Sequence, residues 1–387
     1  MTPDVPDERP QAHFNHAGAS IPPPEVVDRV IDHLRLEADA GGYEAAERVA
    51  GEAELIPEAL AALVGAGADE VVPCESATRG WEQVLWAAAL SHGWGSGDRV
   101  VVDRFAYASS WATLQRLRDV LGVDLAIAPS GPDGSVDAAG VTDVIDDRTR
   151  LVLVTHVPTH LGTVSDVAGV GAALAGREVV YAVDLAQSLG QIPIDVEAIG
   201  CQIAFAPGRK FLRAPRGTGL LYVASQLADT LQPLSADQTS ATVLDGAHVV
   251  LRPGAARFDL FEHSLALRLG LAEAARYAIS VGLAHISAEV AARTQQVAGL
   301  VAATAGLDLL AAPPLSGIVT FTHERLSPEE VRDRLTAGGV RSWVSSLGGS
   351  PLDQVDRLTR PAVRLSPHYV TTEHEIGLLD RALRDLI

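Results

Sequence analysis

The stretch CQIAFAPGRKFLRAPRGTGLLYVA, residues 201–224, contains two apolar runs joined by a turn rich in glycine and arginine. Lys210 in this turn is the one lysine of a 387-residue chain that carries twenty-nine arginines. Arginine can replace a surface cation at little cost, but it cannot replace an amine that must lose its proton, because guanidinium stays protonated in proteins. Lys210 is therefore a candidate functional residue, and the simpler alternative is an exposed loop cation.

Working outward from this turn, short apolar runs alternate with helical patterns. The runs are VVPC (71–74), RVVVD (99–103), LAIA (125–128), RLVLVTHV (150–157) and EVVYAVDLA (178–186). Nearly continuous apolar runs are typical of strands that are covered on both faces, so we predict an α/β fold with a mostly parallel central sheet and helices on both faces. The pattern changes near residue 250. We predict an N-terminal arm over 1–24, a large domain over 25–250 and a smaller α+β domain over 251–387.

Charge and composition exclude several classes of protein. A net charge of −19 disfavours nucleic acid and anionic membrane surfaces as partners. Cys74 and Cys201 give neither a disulfide framework nor a zinc-type spacing. The N-terminus has no apolar signal segment, and no apolar run reaches membrane-spanning length, so we expect a cytoplasmic protein.

Ligands of parallel sheets bind beyond the carboxyl ends of the strands, where this sequence places unusual polar residues. Ser76, Ala77 and Thr78 open a helix and offer N–H groups to an anion, although plain helix capping explains them too. Asp184 ends an apolar strand and needs a cationic partner, which a structural ion pair would also supply. A phosphate site, a buried carboxylate and the Lys210 amine together predict pyridoxal phosphate (PLP), since it presents a phosphate, a pyridine nitrogen and an aldehyde.

Eight motifs in a fixed order strengthen this prediction. They are FNHAGASIPPP (14–24), ESATRGW (75–81), FAYASS (105–110), THVPTHLG (155–162), VDLAQSLGQIPID (183–195), GRKFLRAPRGTGLLYV (208–223), RFDLFEHSLALRLGL (257–271) and VRLSPHYVTTEHEI (363–376). Across nearly its whole length the chain resembles the class V aminotransferase family of fold-type I PLP enzymes. The resemblance implies the aspartate aminotransferase-like fold and a homodimer with active sites at the subunit interface.

The resemblance implies a role for each residue around the cofactor ring. Lys210 corresponds to the lysine that forms a Schiff base with PLP and then moves the proton at the substrate Cα. Asp184 corresponds to the residue that keeps the ring nitrogen protonated, and Gln187 to a donor toward the ring oxygen. Tyr107 matches the position that stacks on the ring. His156 matches a position near the ring oxygen and the substrate carboxylate, and counts as a catalytic and substrate-binding candidate.

Other roles concern the phosphate and the substrate. By the same resemblance, Ala77, Thr78 and Arg209 bind the phosphate. Arg364 matches the arginine that holds the substrate α-carboxylate through a bidentate contact, a geometry that suits guanidinium. His16 is a further substrate-binding candidate.

The sequence departs from the family at two positions. Pro207 stands where a serine or threonine usually contacts the phosphate, and it has no donor to offer. Glu262 stands where a threonine usually reaches the phosphate of the partner subunit. Arg209 is a candidate to replace the lost phosphate contact.

Within the family, LEADAGGYEAAE (36–47) and the motifs above are most similar to the C–S lyase branch, which contains ergothioneine-pathway and lincosamide-tailoring enzymes. The branch implies β-elimination of a cysteine S-conjugate in actinobacterial-type secondary metabolism, including antibiotic biosynthesis. Alternatives are decarboxylation coupled to oxidative deamination of such a conjugate, an epimerase like those acting on isopenicillin N, an aminotransferase, or a silent PLP-fold protein. A cysteine desulfurase needs a loop cysteine, and SWVSSLGGSPLDQVDRL (342–358) has none.

The histidines of HVPTH raise one other possibility. His156 and His160 have the spacing of a zinc-binding pair on a helix. A proline separates them just after a predicted strand, so we predict no metal site.

Overall fold

A seven-stranded sheet forms the centre of the computed structural model, which describes residues 12–131, 134–244, 246, 248–311, 316–354 and 360–387. Its strands, in spatial order, are Val71–Cys74, Gly219–Val223, Ile203–Pro207, Val180–Asp184, Thr149–Thr155, Arg99–Asp103 and Asp124–Ala128. The five strands from Ile203–Pro207 to Asp124–Ala128 are mutually parallel, whereas Gly219–Val223 runs antiparallel to both of its neighbours. The predicted mostly parallel sheet is confirmed.

Helices cover both faces of this sheet, which explains the nearly continuous apolar runs. Successive residues of one strand enter different clusters, so Val152 packs on one face and Leu153 on the other. The helices around the sheet are Pro24–Ala40, Gly42–Arg48, Ala50–Ala53, Ile56–Ala61, Ala77–Ser91, Ala108–Leu121, Ala138–Thr142, Val167–Leu174, Val196–Ile199, Ser225–Ala228 and Leu265–Val281. No described helix is long and apolar enough to cross a lipid bilayer.

The C-terminal part contains a second, antiparallel sheet. Its strands, in spatial order, are Leu307–Leu309, Val319–His323, Ala362–Leu365 and Trp343–Ser345. The helices beside it are Leu283–Ala303, Pro328–Ala337 and Glu373–Arg384. A separate apolar cluster fills the space between this sheet and these helices, and Phe321 and Leu379 are fully buried in it. A short hairpin of Ala241–Val243 and Val249–Leu251 precedes this region.

The N-terminal segment is more ordered than the irregular arm that the sequence suggested. Ala12–His13 pairs in parallel with Val340–Arg341 of the C-terminal part. Phe14 is fully buried in the apolar cluster of the small sheet, which fixes the segment there. Residues 1–11 of the predicted arm lie outside the described residues.

The sequence over 261–306 predicts one or two long helices, and the structure has two. They are Leu265–Val281 and Leu283–Ala303, separated by Gly282 with φ 95°. Leu269 and Leu271 of the first helix are buried in the same cluster as the large sheet, although they follow residue 250. The domain boundary at 250 stays a prediction, and this helix packs on the large-domain side.

The turn that carries Lys210 lies directly against a glycine. Gly190 has φ 89°, and a Cβ added there would lie 2.4 Å from the backbone nitrogen of Leu212. Backbone cannot yield as a flexible side chain can, so this close approach requires glycine. The contact fixes the lysine turn against the segment that follows Asp184.

We expect Gly190→Ala to lower the free energy of unfolding by roughly 2–5 kcal/mol, from left-handed strain and overpacking together. Gly176→Ala is the matched control, because Gly176 has φ 77° and nothing within 4 Å of an added Cβ. The control should lose about 1–2 kcal/mol, from backbone strain alone. Urea unfolding measures both values, and equal losses would contradict the role given to the close contact.

Candidate functional site

Lys210 and Asp184 line one cavity of about 290 Å³ at the carboxyl ends of the parallel strands. Asp184 ends the strand Val180–Asp184, and Lys210 lies three residues beyond the neighbouring strand Ile203–Pro207. Both side chains are buried, with relative exposures of 4% and 8%. The two residues singled out from the sequence therefore meet at one site.

Burial shifts the pKa of both groups toward their neutral forms. Desolvation lowers the pKa of Lys210, and the Asp184 carboxylate partly opposes this shift. Desolvation likewise raises the pKa of Asp184, while the N–H of Ala186, at 2.8 Å, and the charge of Lys210 lower it. The site thus holds an amine that gives up its proton more easily than a surface lysine and a carboxyl group suited to a cationic partner.

One end of this cavity is built for an anion. Ser76 caps the helix Ala77–Ser91 and accepts a hydrogen bond from the N–H of Arg79 at 3.2 Å. Ala77 and Thr78 in the first turn line the cavity, so the positive end of the helix dipole faces it. The structure therefore brings the predicted phosphate residues to the same cavity as Lys210.

Arginine strengthens this anion site beside Pro207, which also lines the cavity. Arg209 and Arg216 line it as well. The Nη1 atom of Arg209 is buried and has no hydrogen-bond partner among the described residues. An unsatisfied buried donor is costly by about 1–3 kcal/mol, which an anionic ligand would relieve.

A second cavity of about 470 Å³ shares Tyr107, Arg209 and Lys210 with the first and is also lined by Arg364. The Nη1 atom of Arg364 donates to the carbonyl oxygen of Thr159 at 3.2 Å and to its Oγ1 at 2.7 Å. Its Nε is buried without a partner among the described residues. The Arg364 side chain is thus held in place with donor capacity left for a carboxylate.

Tyr107 and Gln187 are the remaining residues predicted to contact the cofactor. The Lys210 Nζ lies 5.7 Å from the centroid of the Tyr107 ring. Gln187 lines the first cavity, and its Nε2 donates to the Thr159 Oγ1 at 2.8 Å and to the Ala17 carbonyl oxygen at 3.2 Å. The Gln187 amide nitrogen thus already donates to two acceptors, and the contacts of Tyr107 and Gln187 with the cofactor stay predictions.

Two predicted site residues lie apart from the cavities. His156 is buried beside Thr155, yet Thr155 lines the first cavity and His156 lines neither. Burial lowers the pKa of His156 to about 4, so it is neutral at pH 7. The Nδ1 atom of His16 lies 2.9 Å from the Ser20 Oγ, and the His16 ring packs 4.9 Å from His368. Their direct substrate roles stay predictions.

Thr159 is a site residue that the sequence analysis missed. Its hydroxyl connects Gln187 with Arg364, and it lines both cavities. The one available signal was its position in the polar segment THVPTH after a strand end. Arg216 was also missed, because an exposed arginine in a turn is unremarkable in a chain so rich in arginine.

Glu262, the other departure from the family, is exposed and lies outside both cavities of the single chain. His160, the second residue of the histidine pair, lies 2.7 Å from the Ser345 Oγ and 3.1 Å from the Arg360 carbonyl oxygen. Across the part of the chain that the structure describes, no three His, Cys, Asp or Glu side chains are grouped to hold a metal ion.

The residues fit PLP on chemical grounds. Arg209, Arg216 and Arg364 surround Lys210 in a protein of net charge −19, so local positive charge is concentrated where two anionic groups would bind. A buried carboxylate suits a pyridinium nitrogen, and a deprotonatable amine suits an aldehyde. The partnerless Nη1 of Arg209 and Nε of Arg364 fit a phosphate and a carboxylate.

The family model for Aminotransferase class-V matches residues 12–379. The chain belongs to the class V aminotransferase family. This membership confirms the resemblance drawn from the motifs, and PLP is the cofactor of the family. The chain is therefore a PLP-dependent enzyme of class V, and the cofactor deduced from Lys210, Asp184 and the helix start is confirmed.

Relatives of this class V enzyme include proteins named for sulfur chemistry. A Methanothermobacter thermautotrophicus protein named "Probable cysteine desulfurase" is 29% identical, and the match covers 99% of this chain and 96% of the relative. A cysteine desulfurase of Synechococcus elongatus is 26% identical over 97% of this chain, which spans 60% of that longer relative.

Solved structures agree on the fold. The apo cysteine desulfurase of Thermococcus onnurineus has a TM-score of 0.86 and 22% identity, with 97% of this chain and 94% of the other covered. A cystine C–S lyase in complex with cysteine persulfide has a TM-score of 0.86 and 21% identity over 96% of this chain and 97% of the other. At these identities the likeness confirms the fold-type I architecture.

We expect Lys210→Ala to lose the visible absorbance band that a covalent bond between Nζ and PLP gives, and to lower turnover by about 10²–10⁴-fold, the usual contribution of a proton-transfer group. Visible absorbance and steady-state rates measure this. Lys210→Arg is the matched control, because it keeps the charge but not an amine that deprotonates, and it should fail equally. A yellow, active Lys210→Arg enzyme would contradict the assignment.

Proposed function

We propose that this class V enzyme cleaves the C–S bond of an S-substituted cysteine by β-elimination. The observation that carries the proposal is the placement of Lys210 and Asp184 in one cavity, with Arg364 in the adjoining one and no thiol lining either. The names of the relatives support a cysteine-type substrate and chemistry at its C–S bond. Aminoacrylate, and from it pyruvate and ammonia, would be the amino-acid products.

Bound PLP supplies a sink for the electrons left on the substrate Cα when its proton is removed. The residues of this chain do the rest. Arg364, held by Thr159, binds the α-carboxylate and orients the Cα toward Lys210. The Lys210 amine takes the Cα proton, and burial favours its neutral form for this task. Asp184 holds a proton on the pyridine nitrogen, because a buried carboxylate needs that cation.

The thiols of this chain do not suit a persulfide-forming desulfurase. Cys74 donates from Sγ to the Ser76 carbonyl oxygen at 3.3 Å, and burial raises its pKa to about 12. Burial also raises the pKa of Cys201 to about 12. Thiols held in this protonated form are poor nucleophiles. We infer that sulfur leaves bonded to its own substituent and is not transferred to a cysteine of the enzyme.

The second cavity gives room for that substituent. Ala17, Gly18, Gly348 and Gly349 line it with little side-chain volume, and Trp343 adds an exposed ring. Small residues leave space beyond the α-carboxylate site, and an exposed indole offers a stacking surface. These residues support a substrate larger than cysteine itself.

We expect the enzyme, incubated with S-methyl-L-cysteine or a bulkier S-substituted cysteine, to release pyruvate, ammonia and the free thiol in equal amounts. Lactate dehydrogenase coupling and mass spectrometry measure these products. Carbon dioxide together with an aldehyde would replace this proposal with decarboxylation coupled to oxidative deamination. An inverted Cα without a free thiol would indicate an epimerase.

The control for this assay is the pair Cys74→Ala and Cys201→Ala. Both variants should keep product formation within about twofold of the wild type, since neither thiol lines the cavities. Loss of turnover in either folded, yellow variant would indicate that the enzyme forms a persulfide on that cysteine.

We also propose that the enzyme is a homodimer. Val27, Ile31 and Leu34 form an exposed apolar stripe at helical spacing on Pro24–Ala40, and Ile21, just before this helix, is exposed as well. We expect sedimentation equilibrium to give about twice the chain mass, and Ile31→Asp to shift the equilibrium toward monomer. A monomeric wild type at micromolar concentration would contradict the proposal.

A further inference from the structure

Four aromatic side chains pack together next to the Lys210 turn. They are Phe211, the residue after Lys210, together with His16 of the N-terminal segment and His368 and Tyr369 beyond the strand Ala362–Leu365. The His368 ring centroid lies 5.5 Å from that of Phe211, 4.9 Å from that of His16 and 4.7 Å from that of Tyr369. We call these four residues the ring junction. Three separate parts of the chain meet there.

Hydrogen bonds define the protonation of His368. The backbone N–H of Tyr369 donates to its Nδ1 at 2.9 Å, so Nδ1 is an acceptor and Nε2 carries the hydrogen. Nε2 then donates to the Phe211 carbonyl oxygen at 2.9 Å. Complete burial lowers the pKa of His368 to about 3, so the imidazole stays neutral at pH 7. His368 thus forms one directed bond to the peptide next to Lys210.

Arg213 makes a second connection from the lysine turn. Its φ is 64°, in the left-handed region, which a residue other than glycine adopts at a cost of about 1–3 kcal/mol. Its Nε donates to the Ile21 carbonyl oxygen at 2.9 Å, and its Nη1 donates to the Tyr369 hydroxyl at 2.8 Å. These bonds hold the strained residue, so the turn is tied to the N-terminal segment and to the ring junction.

His368 and Tyr369, which bond to the lysine turn, lie a few residues beyond Arg364. We propose that His368 and Arg213 are positioning residues that fix the distance between the Lys210 amine and the Arg364 guanidinium. The amine must reach the Cα of an amino acid whose carboxylate Arg364 holds, and a misplacement of about 1 Å can slow such a transfer by roughly 10²-fold. The inference rests on the family's proton transfer at Cα and is independent of which bond breaks afterwards.

The test uses the PLP-loaded enzyme and two variants of His368. His368→Phe keeps a ring in the junction and removes the Nε2 donor, whereas His368→Gln restores an amide donor near that place. Two quantities are measured: the pH titration of the visible absorbance, which reports Lys210 without any turnover, and the exchange of the Cα proton of S-methyl-L-cysteine in D₂O by NMR.

We expect His368→Phe to shift the midpoint of the absorbance titration and to slow proton exchange by about 10–100-fold with a KM close to wild type. His368→Gln should recover most of both. Exchange of the Cα proton without release of a thiol would refute the proposed C–S cleavage but not this inference. The two proposals can therefore fail separately.

His33→Phe is the matched control, because His33 is equally buried but lies on the helix Pro24–Ala40, outside the ring junction. It should lower the melting temperature without moving the absorbance titration. The same pattern in His368→Phe would overturn the inference and leave His368 a structural residue. If His368→Phe does not fold, Tyr369→Phe decides, since it removes only the hydroxyl that accepts from Arg213: an unchanged titration and exchange rate would overturn the proposal.

Discussion

The structure depends on the burial of one amine beside one carboxylate. Either group alone would be costly to bury by several kcal/mol, so both must reach the same cavity. The parallel sheet provides this, because Asp184 ends one strand and Lys210 follows its neighbour at the same edge. Gly190 then lets the lysine turn lie against the segment that follows Asp184. Strand order and the close approach at Gly190 together bring the amine and the carboxylate to one cavity.

The basic side chains around this pair are of two kinds, arginines that stay protonated and one lysine that can lose its proton. Arg209, Arg216 and Arg364 line the second cavity with Lys210, in a protein that is otherwise strongly acidic. Guanidinium keeps its proton, so these arginines stay charged and suit anionic groups, and the one lysine of the chain lies among them. Burial and the neighbouring guanidinium groups of Arg209 and Arg364 lower the pKa of Lys210. The one lysine of the sequence thus lies where the proposed proton transfer needs an amine, a role that arginine cannot take.

The sequence predicted what local patterns encode. The continuous apolar runs predicted a sheet covered on both faces. The polar residues at the strand ends predicted Lys210 and Asp184 as site residues. Thr159 escaped because its function comes from a hydrogen bond to Arg364, 205 positions away along the chain. His156 was assigned through the family resemblance; Thr155 lines the first cavity and His156 does not, and the substrate role of His156 stays a prediction. Contacts between distant segments have no signature in composition or spacing.

The N-terminal segment shows why such contacts matter. Ala12–His13 pairs with Val340–Arg341 of the small sheet, and a few residues later the Ala17 carbonyl oxygen accepts from Gln187 and the Ser20 N–H donates to the Arg209 carbonyl oxygen. The N-terminal segment is thus bonded to the small sheet and to residues beside the cofactor cavity. The spacing of Arg364 and Lys210 is therefore set by bonds present before substrate arrives, which is the preorganisation that proton transfer at a fixed carbon requires.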